Sequence, residues 1–313
     1  MTVKKKTIYL ANPRGFCAGV DRAIETVETA LELYNTPLYV KHEIVHNKNV
    51  VNDLIKKGVI FIENLEDIPN TETVIFSAHG VPPDTWEAAK KRNLNIIDAT
   101  CPLVTKVHLE AKRLAKDNYR IIFIGHKKHV ETIGTYGEAP DRITIIENIE
   151  DIENLPEFEE SKIAYLTQTT LSVRETKEII DRLKKKFPDI LGPSTSDICY
   201  ATTNRQEAVS KIASVSDLML IIGSKNSSNS NRLKELAESL GTTAKLIDSY
   251  DDIDKAWISD TVQSIGISAG ASAPENIIQM VIAGLKNDFQ FDNIEEIIVK
   301  EERITFRLPK NLR

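Results

Sequence analysis

Residues 5–31 read KKTIYLANPRGFCAGVDRAIETVETAL. A short run of β-branched and aromatic residues leads into a loop where Gly15 and Gly19 flank Cys17. Behind it, Val20, Ala23, Ile24, Val27, Ala30 and Leu31 recur at the i, i+3, i+4, i+7 spacing of an amphipathic helix. The same order of strand, loop, cysteine and helix returns twice. Residues 94–115, LNIIDATCPLVTKVHLEAKRLA, place Cys101 ahead of Val104, Val107, Ala111 and Leu114. Residues 195–215, TSDICYATTNRQEAVSKIASV, have a shorter lead-in to Cys199, with Thr203 and Gln206 as a capping box before Ala208 and Ile212. Each cysteine is thus expected near a helix N-terminus, where unpaired N–H groups and the helix dipole favour the thiolate. Three such positions at near-even intervals argue for a repeated unit rather than three unrelated packed thiols.

Other strand-like runs alternate with helical ones. TVIFSAHG, YRIIFIGHKKH, KIAYLTQTT, LMLIIGSKNSSNSN and SIGISAGASAP are short, apolar and closed by small polar residues. Ser172 and Glu175 form a capping box opening another helix. This is the β-α alternation of parallel sheets. The expected fold is α/β: three similar small parallel-sheet domains, at residues 1–98 (Cys17), 99–195 (Cys101) and 196–285 (Cys199). A strand-rich tail, 286–313, reads as two short strands around a charged turn.

Composition narrows the function. The 313 residues carry a net charge of −6, which gives no basic footprint for nucleic acid or an anionic membrane. No apolar run approaches the ~20 residues of a membrane span, and the basic start passes directly into a strand without a signal-peptide core. A cytoplasmic location is expected. Three cysteines without a C-x-x-C pair signal neither a thioredoxin motif nor a zinc ribbon, and in a reducing compartment they do not build a disulfide framework. Neither a phosphate-binding P-loop nor a G-x-G-x-x-G after the first strand is present, which disfavours a bound nicotinamide.

Ligands of parallel sheets bind beyond the carboxyl ends of the strands. His79, His126, His129, Thr167, Thr169, Thr170, Ser227, Ser228, Asn229 and Ser272 follow strand-like runs there. Singly, such residues are most often caps and turns. Together with His46 they offer imidazoles, hydroxyls and amides but few fixed positive charges, which suits a small phosphorylated or hydroxylated ligand. Glu131 is the acidic residue nearest this set; an exposed loop carboxylate is the plainer reading, and its proximity to His129 favours a proton donor. Three thiolates on a pseudo-threefold axis would hold either zinc with an open position or an iron–sulfur cubane with one iron unligated by protein. Structural zinc sites draw ligands in close pairs, so the cluster is favoured.

The stretches RGFCAGVDRAI, HEIVHN, SAHGV, DATCPLV, GHKKHVE, LTQTTLSV, DICYATTNRQEA, GSKNSSNSNRL and AGASAP, in this order from about residue 8 to about residue 285, resemble the motif set of the 4-hydroxy-3-methylbut-2-enyl diphosphate reductases. The resemblance implies three α/β domains around a central 4Fe-4S cluster, ligated by Cys17, Cys101 and Cys199 with the fourth iron open to the substrate hydroxyl. It implies that His46, His79 and His129 line the diphosphate pocket. It further implies that Thr169, Ser227, Ser228, Asn229 and Ser272 bond the substrate, and that Glu131 donates a proton in company with Thr169. His126 matches a position where the family does not require histidine, and Lys127 and Lys128 replace expected small residues. The implied reaction is a two-electron reductive dehydroxylation to isopentenyl and dimethylallyl diphosphate, fed by an external donor such as ferredoxin or flavodoxin. Two other readings stand beside it: a quinolinate-synthase-like iron–sulfur lyase, and a non-enzymatic iron–sulfur sensor. The serine- and asparagine-rich loop with three loop histidines suits a diphosphate better than a small dicarboxylate. A sensor has no need of an enclosed glutamate or an anion pocket.

Overall fold

The computed structural model describes residues 5–34, 36–158 and 162–313. In chain order the first part forms β1 (Thr7–Asn12), α1 (Ala18–Leu33), β2 (Leu38–Lys41), α2 (Lys48–Lys56), β3 (Val59–Ile62), β4 (Thr73–Phe76), α3 (Pro83–Lys91) and β5 (Asn95–Asp98). Then come α4 (Pro102–Lys116), β6 (Arg120–Ile124), α5 (Val130–Gly137), β7 (Ile143–Ile146), α6 (Glu150–Glu153), β8 (Ile163–Thr167) and α7 (Val173–Lys186). The last part forms α8 (Tyr200–Ala213), β9 (Leu218–Ile222), α9 (Ser228–Ser239), β10 (Thr243–Ile247), β11 (Ser264–Ala269), α10 (Glu275–Phe289) and β12 (Asn293–Ile298). None of these helices is long and apolar enough to cross a membrane.

The strands make three sheets, ordered β10-β9-β11-β1-β12, β3-β2-β4-β5 and β7-β6-β8, and every pairing is parallel. The chain divides into two compact units. One gathers the chain up to Ala18, His46–Asp53 and Tyr200–Ile304; the other gathers Gly19–Val45, Leu54–Cys199 and Thr305–Arg313. The five-stranded sheet lies wholly in the first unit and the two smaller sheets in the second.

Parallel strands covered on both faces must be apolar on both faces, and the central strands β9 and β6 are. In β9, Leu218, Leu220 and Ile222 pack with Ile8, Leu10, Ile265 and Ile267, whereas Met219 and Ile221 pack with Ala208, Val209 and Leu233 from α8 and α9. In β6, Ile122 and Ile124 face one cluster and Ile121 and Phe123 another. Buried apolar area of this kind stabilises by ~25 cal/mol per Å2.

Two local expectations are corrected. The helix after Cys199 begins at Tyr200, so Thr203 lies inside it rather than at its cap. Of the two strands expected in the tail only β12 forms, paired with β1; residues 299–309 have no regular structure. Ser172 does cap its helix, its Oγ accepting the Glu175 N–H at 3.2 Å. The strand leading to Cys17 hydrogen-bonds between β11 and β12, in the sheet built by the last part of the chain. Its six residues are all buried or half-buried, as a strand paired on both sides requires.

The sheet orders place the loops that matter. Each sheet has a point where the chain reverses its direction of travel across the sheet, and a crevice opens there beyond the strand ends. In the five-stranded sheet it lies between β9 and β11; β9 is followed by Ser227 at the α9 cap with Ser228 and Asn229 in the first turn, and β11 by Ser272. In the four-stranded sheet it lies between β2 and β4, the latter followed by His79. In the three-stranded sheet it lies between β6 and β8, followed by His129 and Glu131 on one side and Thr169 on the other.

Candidate active site

Six of the expected residues belong to the first unit: Cys17, His46, Ser227, Ser228, Asn229 and Ser272. The turn after β11 draws three of them together. The Cys17 N–H donates to Ala271 O at 3.2 Å, and the neighbouring Ser272 Oγ donates to His46 O at 2.9 Å. Gly15 makes this approach possible: its φ is +63°, and a Cβ there would stand 2.9 Å from Ala273 O. The loop is held from beneath by Arg205, which is fully buried. Its guanidinium donates to Gly15 O (2.6 and 3.0 Å) and Phe16 O (3.1 Å) and pairs with Glu302 at 3.0 Å. The Tyr200 phenol oxygen accepts the Ala18 N–H at 3.2 Å, and burial raises its pKa.

Ser227 caps α9, its Oγ accepting from Ser230 N–H at 3.3 Å and Ser230 Oγ at 3.0 Å. Gly223 after β9 and Gly270 after β11 press so closely on Ser230 that a Cβ at either would overlap its hydroxyl. The α9 N-terminus is thereby seated between two strand ends, a position suited to an anion. Asn229, in its first turn, is buried, and neither its Oδ1 nor its Nδ2 has a hydrogen-bond partner. A buried amide without partners costs roughly 1–3 kcal/mol, which a polar ligand would recover.

The other six, His79, Cys101, His129, Glu131, Thr169 and Cys199, belong to the second unit. The Cys101 N–H donates to Ala78 O at 2.9 Å, beside His79. Ser77 Oγ lies 3.1 Å from His79 Nδ1, and the His79 ring meets those of His129 and His42 edge-on, with centroids 6.1 and 5.9 Å apart. His129 caps α5: its Nδ1 accepts the Glu131 N–H at 3.2 Å, which fixes the proton of the neutral ring on Nε2. Glu131 is 2 % exposed. One carboxylate oxygen accepts the Thr169 N–H at 2.6 Å and the other its hydroxyl at 3.0 Å. Thr167 Oγ1 instead donates to Gln168 O, and Thr170 Oγ1 accepts from Gln168 Nε2. Thr169 O in turn accepts the Cys199 N–H at 3.0 Å.

Burial drives the Glu131 carboxyl from 4.5 up to about 7, against the two Thr169 bonds and the charge of His108, with Asp197 adding to the rise. An acid poised near neutrality is what general acid catalysis requires. Asp197 is itself raised by burial, although its carboxylate accepts the Thr167 N–H and pairs with Lys106 at 3.1 Å. Lys127 and Lys128 are exposed, with His126 at the Glu147 side of the same turn.

The surroundings of each cysteine, taken singly, suit a thiolate ligand. All are half-buried and outside any disulfide, and Cys101 occupies the cap of α4 without using its side chain to cap it. Each donates its backbone N–H to a loop that carries a candidate substrate residue: Cys17 to Ala271 O, Cys101 to Ala78 O and Cys199 to Thr169 O. Sequence reasoning passed over Arg205, His42 and His108. Arg205 and His42 stand in the quoted motifs, but a charge inside a helix and one more loop histidine look ordinary until burial is known.

The matching family description is "LytB protein", over residues 8–286. The chain is 52% identical to the 4-hydroxy-3-methylbut-2-enyl diphosphate reductase of Actinobacillus succinogenes and 53% identical to that of Histophilus somni, covering 98% of both chains in each case. It is similar to the solved E-1-hydroxy-2-methyl-but-2-enyl-4-diphosphate reductase of Plasmodium falciparum, with a TM-score of 0.96 and 45% identity over 98% of this chain and 97% of that one. A second solved (E)-4-hydroxy-3-methyl-but-2-enyl diphosphate reductase, described as the terminal enzyme of the non-mevalonate pathway, gives a TM-score of 0.65 and 34% identity over 90% and 99%.

Proposed function

The chain belongs to the LytB family, and we infer that it reduces 4-hydroxy-3-methylbut-2-enyl diphosphate to isopentenyl and dimethylallyl diphosphate. The substrate gains two electrons and two protons. The C–O bond to its hydroxyl breaks, water leaves with one proton, and the other proton forms the new C–H bond.

The observation that carries this reading is the recurring tie between cysteine and substrate loop: Cys17 to Ala271, Cys101 to Ala78 and Cys199 to Thr169. Cys17, Cys101 and Cys199 would hold a 4Fe-4S cluster with one iron free of protein ligands. When bound, that cluster supplies single electrons and a Lewis-acidic iron for a leaving hydroxyl. The diphosphate is received by the α9 N-terminus with Ser227, Ser228 and Asn229, by Ser272, and by His46, His79 and His129. The Nε2–H of His129 is a donor for it, because its Nδ1 is committed to Glu131 N–H. Glu131 delivers the proton that turns a poor leaving group into water, and Thr169 aims it by gripping both carboxyl oxygens. After donation the carboxylate keeps both Thr169 bonds, which limits the cost of its charge in a buried site. The electrons come from an external one-electron carrier of the ferredoxin or flavodoxin kind, in keeping with a cytoplasmic setting.

The test is anaerobic reduction of the hydroxylated diphosphate by reconstituted protein with a reduced viologen. The two C5 diphosphates are expected as products, from protein holding about four irons. Iron-loaded protein that leaves the substrate unchanged would refute the reading.

A further inference from the structure

Behind the Glu131 helix lies a buried histidine that the reaction as described does not use. His108 sits in the middle of α4 and is 8 % exposed. Its Nδ1 lies 3.0 Å from a Glu138 carboxylate oxygen just past the end of α5. Its Nε2 is buried and has no hydrogen-bond partner. The Cε1–Nε2 edge enters a slot between two glycines: a Cβ at Gly80 would come within 3.1 and 3.2 Å of those atoms, and a Cβ at Gly134 within the same distances. Gly80 follows His79 directly. Gly134 lies three residues after Glu131, on the same face of α5. Both glycines are thus accounted for by one ring, and that ring touches the two backbones presenting the candidate proton donor and a candidate diphosphate ligand.

We propose that His108, held in register by Glu138, is a positioning residue: it spaces the His79 loop from α5 and so acts on the acid that α5 carries. The inference rests on Glu131 being the proton donor. A buried ring with one nitrogen on a carboxylate and the other against peptide backbone is an expensive way to fill a slot that an aliphatic side chain could fill. What an aliphatic side chain lacks is the capacity to take up charge. The groups acting on Glu131 are His108 from α4, Asp197 from the segment before Cys199, His129 at the cap of its own helix, and Thr169. Of these, positive charge on His108 opposes the burial that raises Glu131, while Asp197 reinforces it. The imidazole therefore keeps the acid from being held so tightly that it cannot give up its proton.

The experiment follows turnover against pH with reduced methyl viologen as donor in reconstituted wild type, His108→Gln, Glu138→Gln and Glu131→Gln. Activity that needs protonated Glu131 declines as pH rises through its pKa. Removing charge from position 108 raises that pKa, so the alkaline limb of His108→Gln moves upward by roughly half a pH unit or more. Its cluster absorption is expected to remain as in wild type. Glu138→Gln, which leaves α4 intact and removes only the carboxylate holding the ring, is expected to move the limb the same way. A purely structural histidine would lower activity at every pH and leave the limb in place; an unmoved limb in variants with native cluster absorption overturns the proposal. Glu131→Gln separates the two readings: if the limb survives it, the proton-donor assignment falls and this inference with it. Wild type that produces no C5 diphosphate at any pH rejects the function itself.

Discussion

Replacing Glu131 with Gln should stabilise the protein above neutral pH, although the residue is proposed to be catalytic. Gln can keep the local bonds: its carbonyl accepts the Thr169 N–H, and its amide donates to a Thr169 hydroxyl that has turned to accept. What disappears is the cost of ionising a group 2 % exposed to solvent. With the carboxyl pushed from 4.5 up to about 7, and ~1.4 kcal/mol per pH unit of displacement, that cost reaches about 3 kcal/mol. The sign follows from proton binding. Between pH 4.5 and about 7 the folded chain holds this proton more tightly than the unfolded one, so rising pH destabilises the wild type across that window. Below the window the cost is absent; above it the cost is complete. The assay is denaturant unfolding of the cluster-free chain, wild type against variant, in steps from pH 5 to pH 8. Other titrating groups cancel in the difference. The variant's advantage should grow with pH to about 3 kcal/mol and then level off. A difference independent of pH would mean that the carboxylate is solvated or paired more strongly than its geometry indicates.

Turnover of the same variant should fall by roughly 100- to 10,000-fold in product formation, with substrate affinity retained. Asn229→Ala should weaken substrate binding about tenfold, read as the dissociation constant by calorimetry, while increasing stability slightly by removing an unpartnered buried amide. Arg205→Met should destabilise by about 3–5 kcal/mol, because it strips Glu302 and two loop carbonyls of their buried partner, and should accelerate iron release, followed by chelator absorbance. Gly270→Ala should cost about 1–3 kcal/mol of unfolding free energy, partly restored by Ser230→Ala, whose hydroxyl is the atom overlapped.

The alternation of short apolar runs with amphipathic segments was enough to give parallel sheets, because β6 and β9 are apolar on both faces and nothing else reads that way. The three cysteines and the polar strand-end residues stood out as candidates for the same reason: parallel topology leaves ligands only one edge of each sheet. What could not be read depends on long-range pairing. That β1 lies between β11 and β12 follows from register across more than 250 residues of sequence, and no local pattern encodes it. The second of the two short strands expected in the tail does not form, since residues 299–309 have no regular structure. Thr169 was preferred to Thr167 and Thr170 only by resemblance; its bonds to Glu131 depend on how β8 ends beside α5. His108 had no visible signal, because the ring and its two glycines are far apart in the sequence.

Thr169 has a consequence beyond holding a carboxylate. Its N–H and hydroxyl bind Glu131, and its carbonyl receives the N–H of Cys199. A single residue therefore bonds both the buried carboxyl of Glu131 and the backbone of Cys199. Coupling through a shared element is reciprocal: to whatever degree binding at Cys199 shifts the proton affinity of Glu131, the protonation of Glu131 shifts the affinity at Cys199 by the same factor. Metal loading should accordingly release or take up a fraction of a proton near neutral pH, and the stoichiometry of that exchange measures how closely acid and ligand are coupled.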